Sequence, residues 1–130
     1  MATRSLIGMN LDNGITKIIY CHWDGYPDHN GRLLVDNYNT PAAITALMEL
    51  GDLSSLEATL DTCTAYHRDR KEPWSTVEPR DINTSELITV GKEYGVDYIY
   101  TYNENYEWEC FKYAYADGTP VEILSEIALN

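Results

Sequence analysis

The chain has 130 residues, 44% of them hydrophobic, and carries 21 acidic against nine basic side chains for a formal net charge of −12. This length fits a single domain over 1–130 and excludes a catalytic domain joined to a regulatory one. The charge argues against duplex nucleic acid and anionic membranes as direct partners, because both attract clustered Lys and Arg. No apolar run approaches the roughly 20 residues that a membrane span needs, so the sequence predicts a soluble protein.

The negative charge is concentrated toward the C-terminal part of the chain. Residues 1–80 hold seven basic and eleven acidic side chains, whereas residues 81–130 hold two basic and ten acidic ones. An anionic face is therefore expected to come from the second part.

The cysteines indicate a reducing environment. Cys21, Cys63 and Cys110 are odd in number and widely spaced, which is not the pattern of a disulfide framework. Free cysteines behave as small apolar side chains, so we expect buried thiols and a cytoplasmic location.

The first predicted element is a β-hairpin. Residues 3–11 and 15–23 are rich in Ile and Leu and flank Asp12-Asn13-Gly14, whose Asn-Gly step supplies the positive φ angles of a tight turn. The second arm is apolar on both of its alternating faces, so we expect it to be central and covered on both sides.

The middle of the chain predicts a loop, helices and a strand. Residues 24–31 are dense in turn formers and predict a shaped loop, with a short helix after it. Thr40-Pro41 is typical of a helix start, and the apolar spacing predicts a helix over 41–50. A further helical turn is expected at 52–56, and a strand near 62–67.

The last third predicts a helix and a second hairpin. The helix is expected at about 85–94, with Gly95 ending it. Aromatic enrichment around Asn103-Glu104-Asn105 predicts a hairpin over 97–115. Residues 121–129 fit either a strand or a helix.

Together these elements predict an α+β fold: an antiparallel sheet of four to five strands with two or three helices packed mainly on one face. Its expected core members are Ile19, Trp23, Leu47, Leu50, Ile88, Ile99 and Phe111.

A zinc site is the first chemical hypothesis, and the spacing disfavours it. Cys63 and His67 are four residues apart, which is about 13 Å on a strand, whereas ligands of one zinc ion converge within roughly 4 Å. We therefore expect no metal and no cofactor.

The best candidates for ligand binding lie in two segments. Arg68-Asp69-Arg70, if extended, places two guanidinium forks on one side, beside His67, and such forks suit a phosphate or carboxylate. The turn around Asp24 carries Trp23 and Tyr26, which either plug a core edge or offer ring faces to a ligand. The arginines could instead pair with the surrounding carboxylates.

The Tyr-rich hairpin is the candidate surface for a protein partner, because Tyr combines a large contact area with a polar tip. Alternatively, the tyrosines cover the sheet and the glutamates protect an edge strand, which could otherwise pair in a homodimer. The candidate residues are Tyr98, Tyr100, Tyr102, Glu104, Tyr106, Glu107 and Glu109.

Four segments follow one another within the first 72 residues: Ile19-Tyr20-Cys21-His22-Trp23-Asp24-Gly25-Tyr26-Pro27, Asn30-Gly31, Leu50-Gly51-Asp52-Leu53-Ser54-Ser55-Leu56 and Ala65-Tyr66-His67-Arg68-Asp69-Arg70. This ordered set resembles a family of small proteins encoded by tailed bacteriophages and prophages. The Tyr-rich part matches only loosely.

The resemblance implies a setting rather than a reaction. Small accessory phage proteins commonly redirect host enzymes or block host defences, which implies a non-enzymatic protein that binds and modulates a host protein in the cytoplasm of the infected cell. One alternative is sequestration of a small anionic ligand, such as a signalling nucleotide, by Arg68, Arg70, Trp23 and Tyr26. A second is DNA mimicry by carboxylates of 81–126. A nucleotide-processing enzyme would need His22, Asp24 or Asp69 to converge with the arginines.

Overall fold

A mixed β-sheet forms the centre of the molecule. The computed structural model describes the backbone of residues 2–116 and 119–127 and the side chains of residues 2–113. Its strands are β1 (Ser5–Asn10), β2 (Ile15–Cys21), β3 (Leu53–Ser55), β4 (Thr64–Ala65), β5 (Arg80–Asn83), β6 (Tyr98–Tyr102), β7 (Trp108–Ala116) and β8 (Thr119–Ile127). They lie in the order β4-β3-β2-β1-β6-β7-β8, and β5 also pairs with β2.

The α+β class is confirmed, but the sheet is larger than predicted and mixed rather than antiparallel. Strand β1 runs parallel to β6, and β2 runs parallel to β3. The additional strands explain the difference in size. Strand β3 replaces the helical turn expected at 52–56, and β8 accounts for most of 121–129.

Both predicted hairpins are confirmed. Strands β1 and β2 pair antiparallel, and Asn13 and Gly14 between them adopt φ angles of 71° and 73°. Strands β6 and β7 also pair antiparallel. In their connection, the side-chain oxygen of Asn103 accepts hydrogen bonds from two backbone N–H groups, those of Asn105 and Glu107.

The helices are α1 (Arg32–Asn37), α2 (Pro41–Met48), α3 (Tyr66–Arg70), α4 (Trp74–Val77) and α5 (Leu87–Tyr94). The start of α2 and the end of α5 lie where the caps predict. Thr40 caps α2 by accepting a bond from the backbone N–H of Ala43 at 3.1 Å, and Gly95 ends α5 with a φ of 72°. Helix α2 is two residues shorter than predicted, and a 3₁₀ turn precedes α5.

The expected loop 24–31 is partly helical, because a wide helical turn starts at Pro27 and runs into α1. In the described residues, no helix is long and apolar enough to cross a membrane.

Helices cover both faces of the sheet, which corrects the predicted one-sided packing. Helices α1 and α2 pack on the face that carries Ile7 and Ile19, whereas α5 packs on the face that carries Leu6 and Ile18. The reason is that β1 and β2 are apolar on both faces, so each face must be covered. The central, doubly covered position predicted for β2 is confirmed.

The predicted core is confirmed in part. Ile19, Leu47 and Ile99 are fully buried, whereas Leu50 and Phe111 are partly buried. The prediction that Trp23 and Ile88 belong to the core is wrong, because these residues are 44% and 45% exposed. Trp23 lies in the turn after the end of β2, and Ile88 lies on the outer side of α5.

Candidate functional site

A tight turn after β2 holds Trp23 at the surface. Its backbone is bonded to β3, to β6 and to the segment that precedes β1. The N–H of Trp23 donates to the carbonyl of Ser54 at 3.0 Å. Gly25 donates to the carbonyl of Thr3 at 2.8 Å and accepts from the hydroxyl of Tyr100 at 2.6 Å. The turn is therefore fixed by the fold rather than flexible.

Asn30 holds the turn from inside. Its fully buried amide group donates to Ser5 Oγ and Cys21 Sγ, both at 3.4 Å, and to the carbonyl of Trp23 at 3.5 Å. Its side-chain oxygen is bonded to Nδ1 of His29 at 2.9 Å. Asn30 thus ties the end of the turn back to its beginning.

The rings of Trp23 and Tyr26 are 44% and 40% exposed, so they do not plug a core edge. Trp23 meets the His22 ring edge to face, with centroids 4.7 Å apart. The centroid of the Tyr26 ring lies 6.1 Å from that of the His29 ring. The charge of Asp24 raises the pKa of the Tyr26 hydroxyl. Asp24 itself adopts a φ of 56°.

Two guanidinium groups act electrostatically on the His22 ring, which lies beside Trp23. Burial lowers the pKa of His22, and the guanidinium groups of Arg4 and Arg70 lower it further. The imidazole is also bonded through Nδ1 to the hydroxyl of Tyr20 at 2.8 Å. His22 is therefore held neutral to lower pH than an ordinary histidine.

Arg70 is attached to the same surface through an aromatic ring. Its guanidinium lies 5.5 Å from the centroid of Tyr66, in cation–π geometry. Among the described residues, no carboxylate forms an ion pair with Arg70. We call this surface the His22 patch, and its members are Arg4, Tyr20, His22, Trp23, Tyr66 and Arg70.

A partly buried ion pair between Arg80 and Asp52 supports the patch from below. Asp52 is 6% exposed and accepts bonds from the backbone N–H of Tyr20 at 2.9 Å and from Arg80 at 3.2 Å. Burial raises the pKa of Asp52, and these two donors oppose the rise. Arg80 lies over the ring of Tyr94, which stacks on Tyr20 at 5.8 Å. The orientation of Tyr20 is thus fixed.

Arg68 does not belong to the patch. Its guanidinium donates to the carbonyls of Leu60 at 2.9 Å and Cys63 at 2.7 Å and to the carboxylate of Asp69. The predicted extended geometry is wrong, since α3 is helical and side chains two residues apart on a helix point about 200° apart. Arg68 and Arg70 therefore do not form one pair of forks.

His67 is likewise engaged locally. Its Nδ1 is bonded to the carbonyl of Glu72 at 2.7 Å, and its ring lies 5.2 Å from Trp74. Of the predicted ligand-binding residues, the structure brings Trp23 and Arg70 together around His22. It places Asp24 and Tyr26 on the adjoining turn, and it assigns His67 and Arg68 other contacts.

Most of the Tyr-rich hairpin faces inward. Tyr100 and Tyr102 are 0% and 3% exposed, so the prediction that they contact a partner is wrong. The reason is that β6 lies between β1 and β7 with both faces covered. Tyr98 is half-buried, and partly buried Glu109 accepts a bond from Asn103 at 3.1 Å. The outward residues of the predicted set are Glu104, Tyr106 and Glu107.

The groups available for covalent chemistry are poorly placed for it. Burial raises the pKa of the Cys21 and Cys110 thiols to about 12, which makes both poor nucleophiles. Within the described residues, no group of three or more His, Cys, Asp or Glu side chains could hold a metal ion.

Two surface clefts lie elsewhere. One of about 540 Å³ opens beside α2, and one of about 280 Å³ opens between α5 and β7. Of all the predicted site residues, only Glu109 lines either of these two clefts, the smaller one. Several carboxylates of the proposed DNA mimic lie beyond residue 113, outside the described side chains.

Sequence reasoning missed Arg4 and Tyr66. Neither is near Trp23 in the sequence; Arg4 directly precedes β1, and Tyr66 begins α3. The available signal is the spacing of Tyr20 and His22, because residues two apart in an extended segment lie on one side of it. No family model, curated protein or solved structure matches this chain. Its function must therefore be inferred from its own residues.

Proposed function

We propose that the chain is a non-enzymatic binding protein that contacts a partner protein through the His22 patch. The observation that carries the proposal is the fixed, outward position of Trp23 beside His22, whose pKa the guanidinium groups of Arg4 and Arg70 lower. Trp, Tyr and Arg are the residue types that dominate binding energy in protein interfaces. The patch therefore combines an apolar anchor with positive charge.

The charge of the patch indicates the chemistry of the partner. The chain as a whole carries a net charge of −12, yet the patch contains two guanidinium groups that act electrostatically on one imidazole. A partner segment with a carboxylate next to an apolar side chain would satisfy both parts of this surface. The opposite charge of the surrounding protein favours one orientation of such a segment.

Preorganisation supports binding at this position. The turn is held by backbone bonds to Thr3 and Ser54 and by the buried amide of Asn30. A surface that is already ordered loses little conformational entropy on binding, so more of the contact energy remains as affinity. The resemblance to phage proteins supports a host protein as the partner.

Sequestration of a small anionic ligand is less well supported. That alternative needs Arg68 and Arg70 to converge with Trp23 and Tyr26. Arg68 instead donates to two backbone carbonyls and to Asp69, and Tyr26 packs toward His29.

The test compares two surfaces of the same chain. Immobilised full-length protein would be incubated with bacterial lysate, and captured proteins and nucleotides identified by mass spectrometry. A Trp23→Ser/Arg70→Ala variant should lose the specific partner, with affinity weakened roughly 30-fold or more, as for a truncated interface anchor. Tyr106→Ala is the matched control, because Tyr106 is 67% exposed on the distant hairpin.

The proposal would be overturned if the Trp23→Ser/Arg70→Ala variant kept the partner and Tyr106→Ala lost it, because the interface would then lie on the β6–β7 hairpin. Capture of neither a protein nor a nucleotide by the wild-type chain would also count against it. Circular dichroism of each variant would show that the fold is intact.

A further inference from the structure

The cleft of about 540 Å³ has the composition of a ligand site. It lies between the end of α2, the β1–β2 hairpin and the segment from α4 to β5. Its Met9 and Met48 belong to the core cluster under α1 and α2, whereas Tyr20 of the His22 patch packs with the cluster under α5. Its lining residues are Met9, Leu11, Lys17, Thr45, Met48, Glu49, Trp74, Glu78 and Pro79.

The apolar part of the cleft can adapt to an organic body. Met9 and Met48 lie on its floor, and methionine is flexible and polarizable. Trp74 is 39% exposed and offers an aromatic surface. An aryl or branched alkyl group would replace water over these side chains.

The charged part of the cleft selects the sign of the ligand. Lys17 is the only cation of the lining, and its ammonium lies 3.0 Å from the carboxylate of Asp81. Glu49 and Glu78 are exposed and form no ion pair with any described residue. The charges left to meet a ligand are therefore two carboxylates, and Trp74 can add a cation–π contact.

The walls of the cleft are fixed before any ligand binds. The N–H of Asp52 donates to the carbonyl of Val77, and that of Glu78 donates to the carbonyl of Trp74, both at 2.8 Å. Gly51 adopts a φ of +74°, and a Cβ there would lie 3.0 Å from the Trp74 ring. Helix α4 is thus closely packed against the end of α2.

We propose that this cleft binds an amphiphilic organic cation, with an aryl or alkyl body over Met9 and Trp74 and an ammonium or guanidinium group at Glu49 and Glu78. An organic anion of the same shape would meet two like charges. The site shares no residue with the His22 patch, so the two proposals succeed or fail separately.

Three probes of nearly equal shape test the proposal on the full chain. These are 3-phenylpropylamine, 3-phenylpropan-1-ol and 3-phenylpropanoate, titrated at pH 7 and low salt with ¹H–¹⁵N NMR. The amine should bind roughly three- to tenfold more tightly than the alcohol, as expected for two exposed carboxylates, and the carboxylate should bind most weakly. The shifted signals should be those of Thr45, Glu49 and the Trp74 indole.

A charge variant separates the ionic contact from the fold. Glu49→Gln/Glu78→Gln should bind the amine and the alcohol about equally, whereas Glu93→Gln, an exposed residue of α5 outside the cleft, should bind as wild type does. Equal binding of amine and alcohol to the wild type would overturn the proposal. So would unchanged amine affinity in the double variant, signal shifts elsewhere, or the absence of binding by every probe up to 10 mM, a concentration that corresponds to a binding free energy of about 2.7 kcal/mol.

Discussion

At the residue scale, Gly25 shows how one missing side chain positions the candidate site. A Cβ at this position would lie 2.8 Å from the carbonyl oxygen of Thr3 and 2.9 Å from Cβ of Ser5. Only glycine lets the turn come this close to the start of β1. The backbone bonds that hold Trp23 outward depend on that approach.

We expect Gly25→Ala to lower the free energy of unfolding by about 2–3 kcal/mol, because the neighbouring atoms are backbone and cannot move aside. Gly14→Ala is the control. Gly14 has a φ of +73° but nothing within 4 Å, so its substitution should cost only about 1 kcal/mol of backbone strain. Urea denaturation of both variants measures the difference. Equal costs would show that the close approach at Gly25 has no energetic weight.

At the element scale, the two arginines of helix α3 make different kinds of contact. Arg68 ties the helix to the preceding loop through the carbonyls of Leu60 and Cys63. Asp69 supports the same arrangement, since it accepts a bond from the N–H of Ala65 at 2.8 Å, and Arg68 lowers the pKa of its carboxyl. Arg70 contacts the Tyr66 ring at the surface.

The two arginines should therefore differ in their effect on stability. Arg68→Ala should lower the free energy of unfolding by about 1–2 kcal/mol, since the lost hydrogen bonds are charge-assisted but partly exposed to solvent. Arg70→Ala should stay within about 0.5 kcal/mol of the wild type. Thermal and urea unfolding of both variants check this, and a larger loss for Arg70→Ala would contradict the assignment.

The elements were predictable where local chemistry decides them. Asn13-Gly14, Thr40-Pro41 and Gly95 marked a turn, a helix start and a helix end correctly. Strand β3 was not predictable, because three residues are too few to show the alternation of apolar and polar side chains that is typical of a strand. It is defined by pairing with β2 and β4, which lie elsewhere in the sequence.

At the scale of the whole molecule, a doubly covered sheet buries groups that would otherwise ionise in alkaline solution. All three cysteines are buried, as predicted from their apolar character. Burial raises the pKa of Cys21 and Cys110 from 9.0 to about 12. Burial also raises the pKa of Tyr20 and Tyr113 from 10.0 to about 12.

We expect stability to fall above pH 9. Folding raises these pKa values, so the unfolded thiols release protons first. The contribution of the buried thiols to the free energy of unfolding is complete below pH 9. As the pH rises toward 12 this contribution is lost, by about 1 kcal/mol per pH unit for each thiol. Urea unfolding between pH 7 and 10.5 under reducing conditions measures the decline. Cys21→Val/Cys110→Val should flatten the part between pH 9 and 10, and an unchanged slope in that variant would contradict the burial argument.

The candidate site was predictable only as separate pieces. The turn formers of 24–31 and the position of Trp23 indicate an aromatic turn, and the charge of Arg70 indicates a residue that binds anions. The prediction that Arg68 acts together with Arg70 is wrong, because it depends on an extended segment and Asp69 stabilises a helix there. Tyr100 and Tyr102 were predicted to face outward, since their sequence does not show that β6 enters the middle of the sheet.

By itself, the sequence determined the class of fold, the two hairpins, the start of α2, the end of α5 and the central position of β2. These features follow from backbone preferences and from apolar patterns that act over a few residues. Only the tertiary structure decided which faces the helices cover, which tyrosines are buried, and that Arg4, Tyr66 and Arg70 belong to one surface with His22. Those outcomes depend on strand pairing between distant segments, whose register cannot be read from local composition.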